Sequence, residues 1–164
     1  MNQPLFDASV PTFIMFLEAM GRLIDIAAAS DLPEDRIMAA RMAPDMHPFP
    51  RQVQIATDMA KLAIARLTDR EAPVWPDTEA SLAELKARVS TALSYVSAVS
   101  PESFAGAEAR TIELTASAMP LKFDGAGFLH RFCLPNFYFH ASMVYALLRK
   151  EGVPLGKKDF FGVG

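Results

Sequence analysis

Asparagine and histidine stand four residues apart, at Asn136 and His140, within an otherwise apolar stretch over residues 124–152. Side chains at this spacing lie together on one face of a helix. Polar groups set into an apolar surface must find hydrogen-bond partners or shift their protonation state. The pair therefore predicts a small polar pocket. His140 would carry protons, because its unperturbed pKa is closest to neutrality, and Asn136 would orient a ligand.

A closed core pair is the alternative to a pocket. In that arrangement the Asn136 side chain would be occupied by the backbone group that Pro135, which has no N–H, leaves free. A pocket requires a solvent-connected cavity beside the two side chains, whereas a core pair requires that both be enclosed.

Three more side chains are candidates to complete the pocket: Gln54, Asp58 and His47. Gln54 and Asp58 share a helix face with Lys61, and this face is most simply a solvated one with an Asp–Lys ion pair. The alternative turns Asp58 inward, opposite His140. His47 lies in a loop that its prolines make extended and stiff, and from there it could join His140 across the helices.

The histidines and the cysteine do not by themselves form a metal or nucleophile site. His130 and His140 lie about 15 Å apart along a helix and on different faces, whereas zinc ligands converge at bonds of about 2 Å. Cys133 is about 10 Å from His140 along the same axis, too far for a thiol and its base. The sequence has no phosphate-binding loop, zinc-protease helix, nucleophile elbow or dinucleotide fingerprint.

The composition indicates one soluble globular domain over residues 1–164. Hydrophobic residues make up 51% of the chain, which is enough for a core at this length. A net charge of −3, without a cluster of Lys or Arg, argues against nucleic acid and anionic membranes as partners. Polar residues in the apolar stretch argue against a membrane span. A single cysteine and no visible signal peptide favour a cytoplasmic location.

Hydrophobic periodicity predicts an all-α fold with a small β-hairpin between the third and fourth long helices. The first helix carries two apolar strips, which would serve either a wide core stripe or a homodimer. Pro135 is expected to kink the last helix or open one backbone bond. The two phenylalanines of the tail are expected to dock on the body or on a partner. The predicted elements are helices 9–27 (capped by Ser9), 31–41, 50–67, 77–99 (capped by Asp77 or Thr78) and 124–152, and strands 111–115 and 121–123 with a turn at 116–120.

Three stretches resemble a bacterial family of DinB/YfiT-like proteins: LFDASVPTF, RMAPDMHPFPRQVQIATDMAK and LPNFYFHASMVYALLRKEGVPLGKKDFFG. The resemblance is to a domain-of-unknown-function family within this superfamily of candidate metalloenzymes, and it covers almost the whole chain. It implies a four-helix bundle, a site at one end of that bundle, and in many members a dimer. Some members of the superfamily are thiol-dependent transferases or hydrolases.

The superfamily's usual site is a zinc or nickel triad, with one histidine from the second helix and an H-x-x-x-H pair from the last. Here the pair reads Asn136 and His140, and the helix over 50–67 has no histidine. Only His140 therefore carries over as a metal ligand. Because asparagine is a weak ligand for zinc and nickel, no cofactor is predicted, and a zinc or nickel ion on His140 is the alternative.

Together these features predict a dimeric DinB-like four-helix bundle with a polar pocket at Asn136 and His140. The pocket would bind a small molecule or carry out a transfer or hydrolysis, and the sequence leaves open whether the protein is an enzyme. The alternative is a structural or interaction protein without an active site, which forms a homodimer through its first helix.

Overall fold

The computed structural model describes residues 3–116 and 118–163. This part of the chain is mostly helical and contains a two-stranded antiparallel hairpin, as predicted. None of the described helices combines the length and the apolar character needed to cross a membrane. The elements are α1 (Pro4–Ala28), α2 (Glu34–Ala39), α3 (Phe49–Leu67), α4 (Leu82–Ser97), a 3-10 turn (Pro101–Phe104), β1 (Ile112–Ala116), β2 (Met119–Phe123), α5 (Gly125–Phe128), a π-helical segment (Leu129–Cys133), α6 (Leu134–Glu151) and α7 (Lys157–Phe161).

Helix α1 runs parallel to α6 and buries a wide apolar surface. The ring of Phe13 meets that of Phe137 with centroids 4.8 Å apart, and Phe16 meets Tyr138 at 5.6 Å. These edge-to-face contacts suit the charge distribution of aromatic rings. On the same side, Phe160 of α7 packs at 5.1 Å from Phe16. The tail therefore docks on the body of the protein, one of its two predicted positions.

Helices α3 and α4 follow each other in the chain yet run in the same direction. Near the start of α3, Gln52 bonds to His140, while the end of α3 lies beside Gly125, so α3 runs opposite to α6. In α4, Lys86 of the first half bonds to the carbonyl of Gly21 in the second half of α1, so α4 runs opposite to α1. Because α1 and α6 are parallel, α3 and α4 must be parallel too.

Residues 68–81 therefore run back along α3 and α4, and we call them the crossing segment. The Arg88 side chain of α4, only 2% exposed, holds this segment in place. Its guanidinium lies 3.1 Å from an oxygen of Asp77 and 2.9 Å from one of Glu79, both in the crossing segment, and 3.0 Å from Asp58 of α3. One buried cation thus joins two helices and the segment that connects them.

Trp75 of the crossing segment covers this charged cluster. The Nζ atom of Lys61 lies 4.7 Å from the centre of the indole ring, within cation–π range. Burial raises the pKa of Glu79, but hydrogen bonds from Arg88 and Gln54 outweigh it, so the pKa is lowered overall. Glu79 therefore stays ionised near neutral pH and keeps its partnership with the guanidinium.

The hairpin pairs Ile112 with Phe123 at its open end. Its strands continue further toward the tip than predicted, and Ser117, within the predicted turn at 116–120, lies outside the described residues. Two strands alone are only marginally stable. Ile112 is 3% exposed, and the ring of Phe123 lies 6.4 Å from that of Phe128, so the hairpin is stabilised by packing on the helices.

Three helices begin two or more residues from their predicted starts. Helix α2, predicted from residue 31, begins at Glu34. Helix α1 begins at Pro4, and Ser9 lies inside it, with its hydroxyl donating to the backbone carbonyl one turn earlier. Helix α4 is capped by Ser81. Asp77, one of the two predicted caps, is bound by Arg88 instead. A tertiary ion pair has here displaced a local capping preference.

The last long helix is continuous from α5 through the π-helical segment to α6. Asp124 caps it as predicted, accepting a hydrogen bond from the backbone N–H of Gly127 at 2.6 Å. In the π-helical segment the N–H of Leu134 bonds to the carbonyl of Leu129. Pro135 follows directly, in the first turn of α6. The added residue of a π turn thus accommodates a proline that cannot donate to the preceding turn.

Replacing Gly125 by alanine should destabilise the protein. A methyl group there would lie 1.8 Å from the carbonyl oxygen of Ala107, and relieving the clash requires that backbone move. We expect Gly125→Ala to lower the free energy of unfolding by about 1–3 kcal/mol, measured by urea denaturation. In the control Gly156→Ala the nearest atom would lie 3.7 Å away, and we expect a loss below about 1 kcal/mol. Equal losses would contradict the clash.

Removing the buried cation should have a large effect. We expect Arg88→Met to lower the free energy of unfolding by about 3 kcal/mol, because its carboxylate partners would be left without their shared cation. Arg36→Met is the matched control, since Arg36 is 54% exposed in its ion pair with Glu151 and should contribute less than about 1 kcal/mol. Urea denaturation measures both, and a similar loss in both variants would contradict the role of Arg88.

Candidate functional site

His140 lies on the face of α6 that packs on α3, and 8% of the residue is exposed. Its Nδ1 atom is 2.7 Å from Oε1 of Gln52. The Nε2 group of Gln52 donates to the backbone carbonyl oxygen of His47 at 3.1 Å. Because a carbonyl oxygen can only accept, the amide of Gln52 must turn its own oxygen toward His140, and Nδ1 must carry the proton. Nε2 of His140 is then an unprotonated acceptor.

The second ring nitrogen of His140 is not fully enclosed by the protein. Within the described residues Nε2 makes no hydrogen bond, and it is not among their enclosed side-chain atoms that lack a partner. Burial lowers the pKa of His140 to about 4, with smaller contributions from His47 and Arg51. The imidazole is thus neutral at pH 7. It is better suited to accept a hydrogen bond than to act as the predicted proton carrier.

Asn136 lies one turn before His140 and is partly buried. Its Nδ2 group donates to the carbonyl oxygen of Phe132 at 2.7 Å. The core-pair alternative also expected a backbone partner, but it named the group that Pro135 leaves free, which in an α-helix is the carbonyl of Arg131. In the part of the chain that the structure describes, Oδ1 of Asn136 accepts no hydrogen bond. The side chain therefore offers a second acceptor on the same helix face as Nε2 of His140.

Gln54 and Asp58 lie on a different side of α3 from the residues that meet His140. Gln54 donates to Glu79 of the crossing segment at 2.9 Å. Asp58 pairs with Arg88 of α4 at 3.0 Å. Both side chains face α4 and the crossing segment. The structure does not bring them to Asn136 and His140.

Of the three side chains proposed to complete the pocket, His47 is the one that the structure places near His140. Its side chain is exposed, and its backbone carbonyl accepts the hydrogen bond from Gln52. The ring of His47 is also close enough to influence the pKa of His140. Its observed part in the site is therefore structural support for Gln52.

Two residues that position the candidate side chains were not predicted: Gln52, which binds His140, and Arg88, which binds Asp58. The hydrogen bond from His140 to Gln52 spans 88 positions, and no local pattern pairs residues at that distance. Arg88 did leave a signal, because it shares a helix face with Leu85 and Ala92, which are both fully buried. A charge on the apolar face of a helix requires a buried partner.

Cys133 is a core residue, as predicted. The residue is fully buried, and burial raises the pKa of its thiol to about 12. Since the thiolate is the reactive form, this cysteine is inert near neutral pH.

The residues around His140 do not fit the histidine triad of the DinB superfamily. The donor side chains near His140 are those of Gln52, Asn136 and His47, and the two amides among them are poor ligands for zinc and nickel. Across residues 3–116 and 118–163, no three His, Cys, Asp or Glu side chains converge as a metal site requires. His140 could supply a single ligand, and we assign no chemical step to a metal.

Comparison with known proteins gives the family of this chain. The family described as Domain of unknown function (DUF1993) matches residues 5–161. A crystal structure described as a DinB family member protein from Shewanella denitrificans is similar over 98% of this chain and 93% of that chain, with 36% sequence identity and a TM-score of 0.86. No curated protein matches the sequence. The chain therefore belongs to the DUF1993 family of DinB-like proteins.

Proposed function

We propose that this protein is a single-domain DinB-like four-helix bundle that binds a small molecule at the face of α6 formed by Asn136 and His140. One observation carries the proposal: the hydrogen-bond chain from the carbonyl of His47 through Gln52 to Nδ1 of His140. These two hydrogen bonds orient the imidazole and leave its Nε2 atom as an acceptor without a partner among the described residues.

The two acceptors define the ligand chemistry. Nε2 of His140 and Oδ1 of Asn136 belong to residues one turn apart, with about 5–6 Å between their Cβ atoms. The complementary ligand is a small molecule with two hydrogen-bond donors, such as hydroxyl or amide N–H groups. Phe139 is 53% exposed and its ring centroid lies 5.1 Å from that of His140, so it adds an apolar wall beside the acceptors.

Recognition, rather than a transfer or hydrolysis, is the proposed activity. A general base works best when its pKa lies near the working pH. With a pKa of about 4, the imidazolium of His140 would return a proton to its donor at pH 7. A transferase or hydrolase reaction would need a substrate whose proton becomes unusually acidic on binding, and we assign no such step.

A homodimer is the second candidate, and exposed aromatic rings on α6 favour it. Helix α1 packs on α4, α6 and α7, so most of the two strips from which a dimer was predicted is covered. On α6, Tyr138 remains 39% exposed and Phe139 53% exposed. A second copy seated there would border His140. A cytoplasmic location belongs to both candidates, since Cys133 is free.

Nitrogen NMR of His140 should show the proton on Nδ1 at pH 7 and titration only near pH 4. The folded-state pKa of about 4 lies below the ordinary value of 6.5, so the unfolded chain binds this proton first as the pH falls. The stability present above pH 6.5 is therefore lost progressively toward pH 4, by up to about 3 kcal/mol. Titration of His140 near pH 6.5 would contradict the buried neutral ring.

A variant without the titrating group supplies the control for this pH dependence. Between pH 7 and pH 4.5, carboxylates also become protonated, and this changes the free energy of unfolding of the wild type and of His140→Gln alike. Urea denaturation of both proteins at the two pH values separates the contribution of His140. The wild type should lose more stability than His140→Gln between these two pH values. Gln52→Leu should in addition allow the proton of His140 to move to Nε2, visible in the same NMR spectrum.

Ligand binding can be tested with a library of small fragments that carry hydroxyl or amide N–H groups, screened by ligand-observed NMR. We expect at least one fragment to bind the wild type and to bind His140→Leu and Asn136→Leu about tenfold more weakly, because each loses one acceptor. His130→Leu, a change at an exposed histidine of the same helix, should bind as the wild type does.

The opposite outcome would favour the second candidate. If no fragment distinguishes His140→Leu from His130→Leu, the small-molecule proposal is wrong. A sedimentation mass of two chains that falls to one in Phe139→Ser would then support the homodimer. A volume-matched apolar pair at 136 and 140 would in that case be neutral or stabilising.

A further inference from the structure

A cavity of about 320 Å³ lies between the end of α3, the first residues of the crossing segment and the residues that lead into β1. Three arginines contribute to its wall: Arg66 from α3, Arg70 from the crossing segment and Arg110 before β1. Arg66 and Gln52 are separated by about 21 Å along α3. The cavity is therefore distinct from the face that carries His140.

The guanidinium of Arg110 is incompletely satisfied. Its Nη1 atom is enclosed and has no hydrogen-bond partner within residues 3–116 and 118–163. The closest carboxylate oxygen, from Asp69, lies 3.9 Å away, which is beyond hydrogen-bond distance. A buried cationic donor without a partner is costly, and such groups in folded proteins are normally met by a protein group, water or a bound ion.

The carboxylates of the cavity wall do not supply that partner. Glu113 is paired with Lys122 at 2.9 Å on the exposed surface of the hairpin. The Asp69 side chain is 86% exposed, and Glu71 is exposed as well. Among the described residues, neither of the other two wall arginines has a carboxylate within 4.0 Å. Arg66 and Arg70 are therefore available to a ligand.

The turn at the rim of the cavity forms the C-terminal end of α3. Asp69 has φ of 55°, in the left-handed region, and is not a glycine. The next N–H, of Arg70, bonds back to the carbonyl of Ala65 at 2.9 Å. This turn folds the chain over the end of α3 and brings Arg70 to the same wall as Arg66. A left-handed residue and a hydrogen bond of this kind form the common Schellman ending of a helix.

We propose that this cavity binds the oxyanion group of a small molecule, either a phosphate or a carboxylate. The fork of a guanidinium matches both groups with paired hydrogen bonds. The accessible part of the Arg110 guanidinium, whose side chain is 24% exposed, would contact the anion, and Arg66 and Arg70 would close on it from the exposed side. The volume is at the lower end of small-molecule pockets, which fits a ligand of a few heavy atoms beyond its oxyanion.

Titration calorimetry in Tris–chloride buffer, with inorganic phosphate in one arm and succinate in the other, tests the proposal. Binding of phosphate alone identifies a phosphate site, binding of succinate alone a carboxylate site, and binding of both a general oxyanion site. Arg110→Gln should weaken whichever binding is seen by about tenfold or more, through the loss of a charge-assisted pair. Arg66→Gln and Arg70→Gln, changes at exposed side chains, should weaken it while the fold is kept.

The control is Arg131→Gln, which removes the same charge from an exposed position outside the cavity. It should leave the affinity unchanged. The proposal is overturned if neither anion binds in the presence of chloride. It is equally overturned if Arg131→Gln weakens binding as much as the cavity variants do. If Arg110→Gln proves unfolded by circular dichroism, the two exposed-arginine variants decide the question.

Discussion

The enclosed guanidinium of Arg88 is the contact on which the arrangement of the helices depends. Consecutive helices α3 and α4 run parallel, so the crossing segment must return along their whole length. It does so with acidic residues that would repel one another without a cation between them. A single planar group satisfies Asp58, Asp77 and Glu79 from one point. The indole of Trp75 lies against the cations of Lys61 and Arg88, at 4.7 Å and 5.9 Å from its centre.

Helix α3 serves two polar systems on different sides. Its side toward α4 carries Gln54 and Asp58, which are part of a closed network of opposite charges. Its side toward α6 carries Gln52, a neutral residue whose amide oxygen accepts a hydrogen bond from His140. In the charged network, Asp58, Asp77 and Glu79 all bind the same guanidinium. In the neutral network, Nε2 of His140 has no partner among the described residues. This difference is why the second, and not the first, is the candidate for ligand recognition.

Sequence patterns predicted the class of fold, the hairpin, the capping of the last helix by Asp124 and the polar pair at 136 and 140. As the alternative to a pocket, they also predicted that the side chain of Asn136 bonds to a backbone group of its own helix. They could not predict which way Asp58 points, because its partner Arg88 is met only when two helices lie parallel. They could not predict Gln52 either, since periodicity assigns a residue to a face but not to a neighbour. Such pairings depend on how helices are arranged, which local preferences do not determine.

The π-helical segment Leu129–Cys133 has a consequence for comparing this chain with its relatives. One added residue turns everything after it by about 100° around the helix axis. The ring of Phe128, before this segment, faces the hairpin, while His140 after it faces α3. A relative with an ordinary helix here would point the residue aligned with His140 elsewhere. Equivalence of histidines within the family must therefore be judged by helical phase as well as by letters in an alignment.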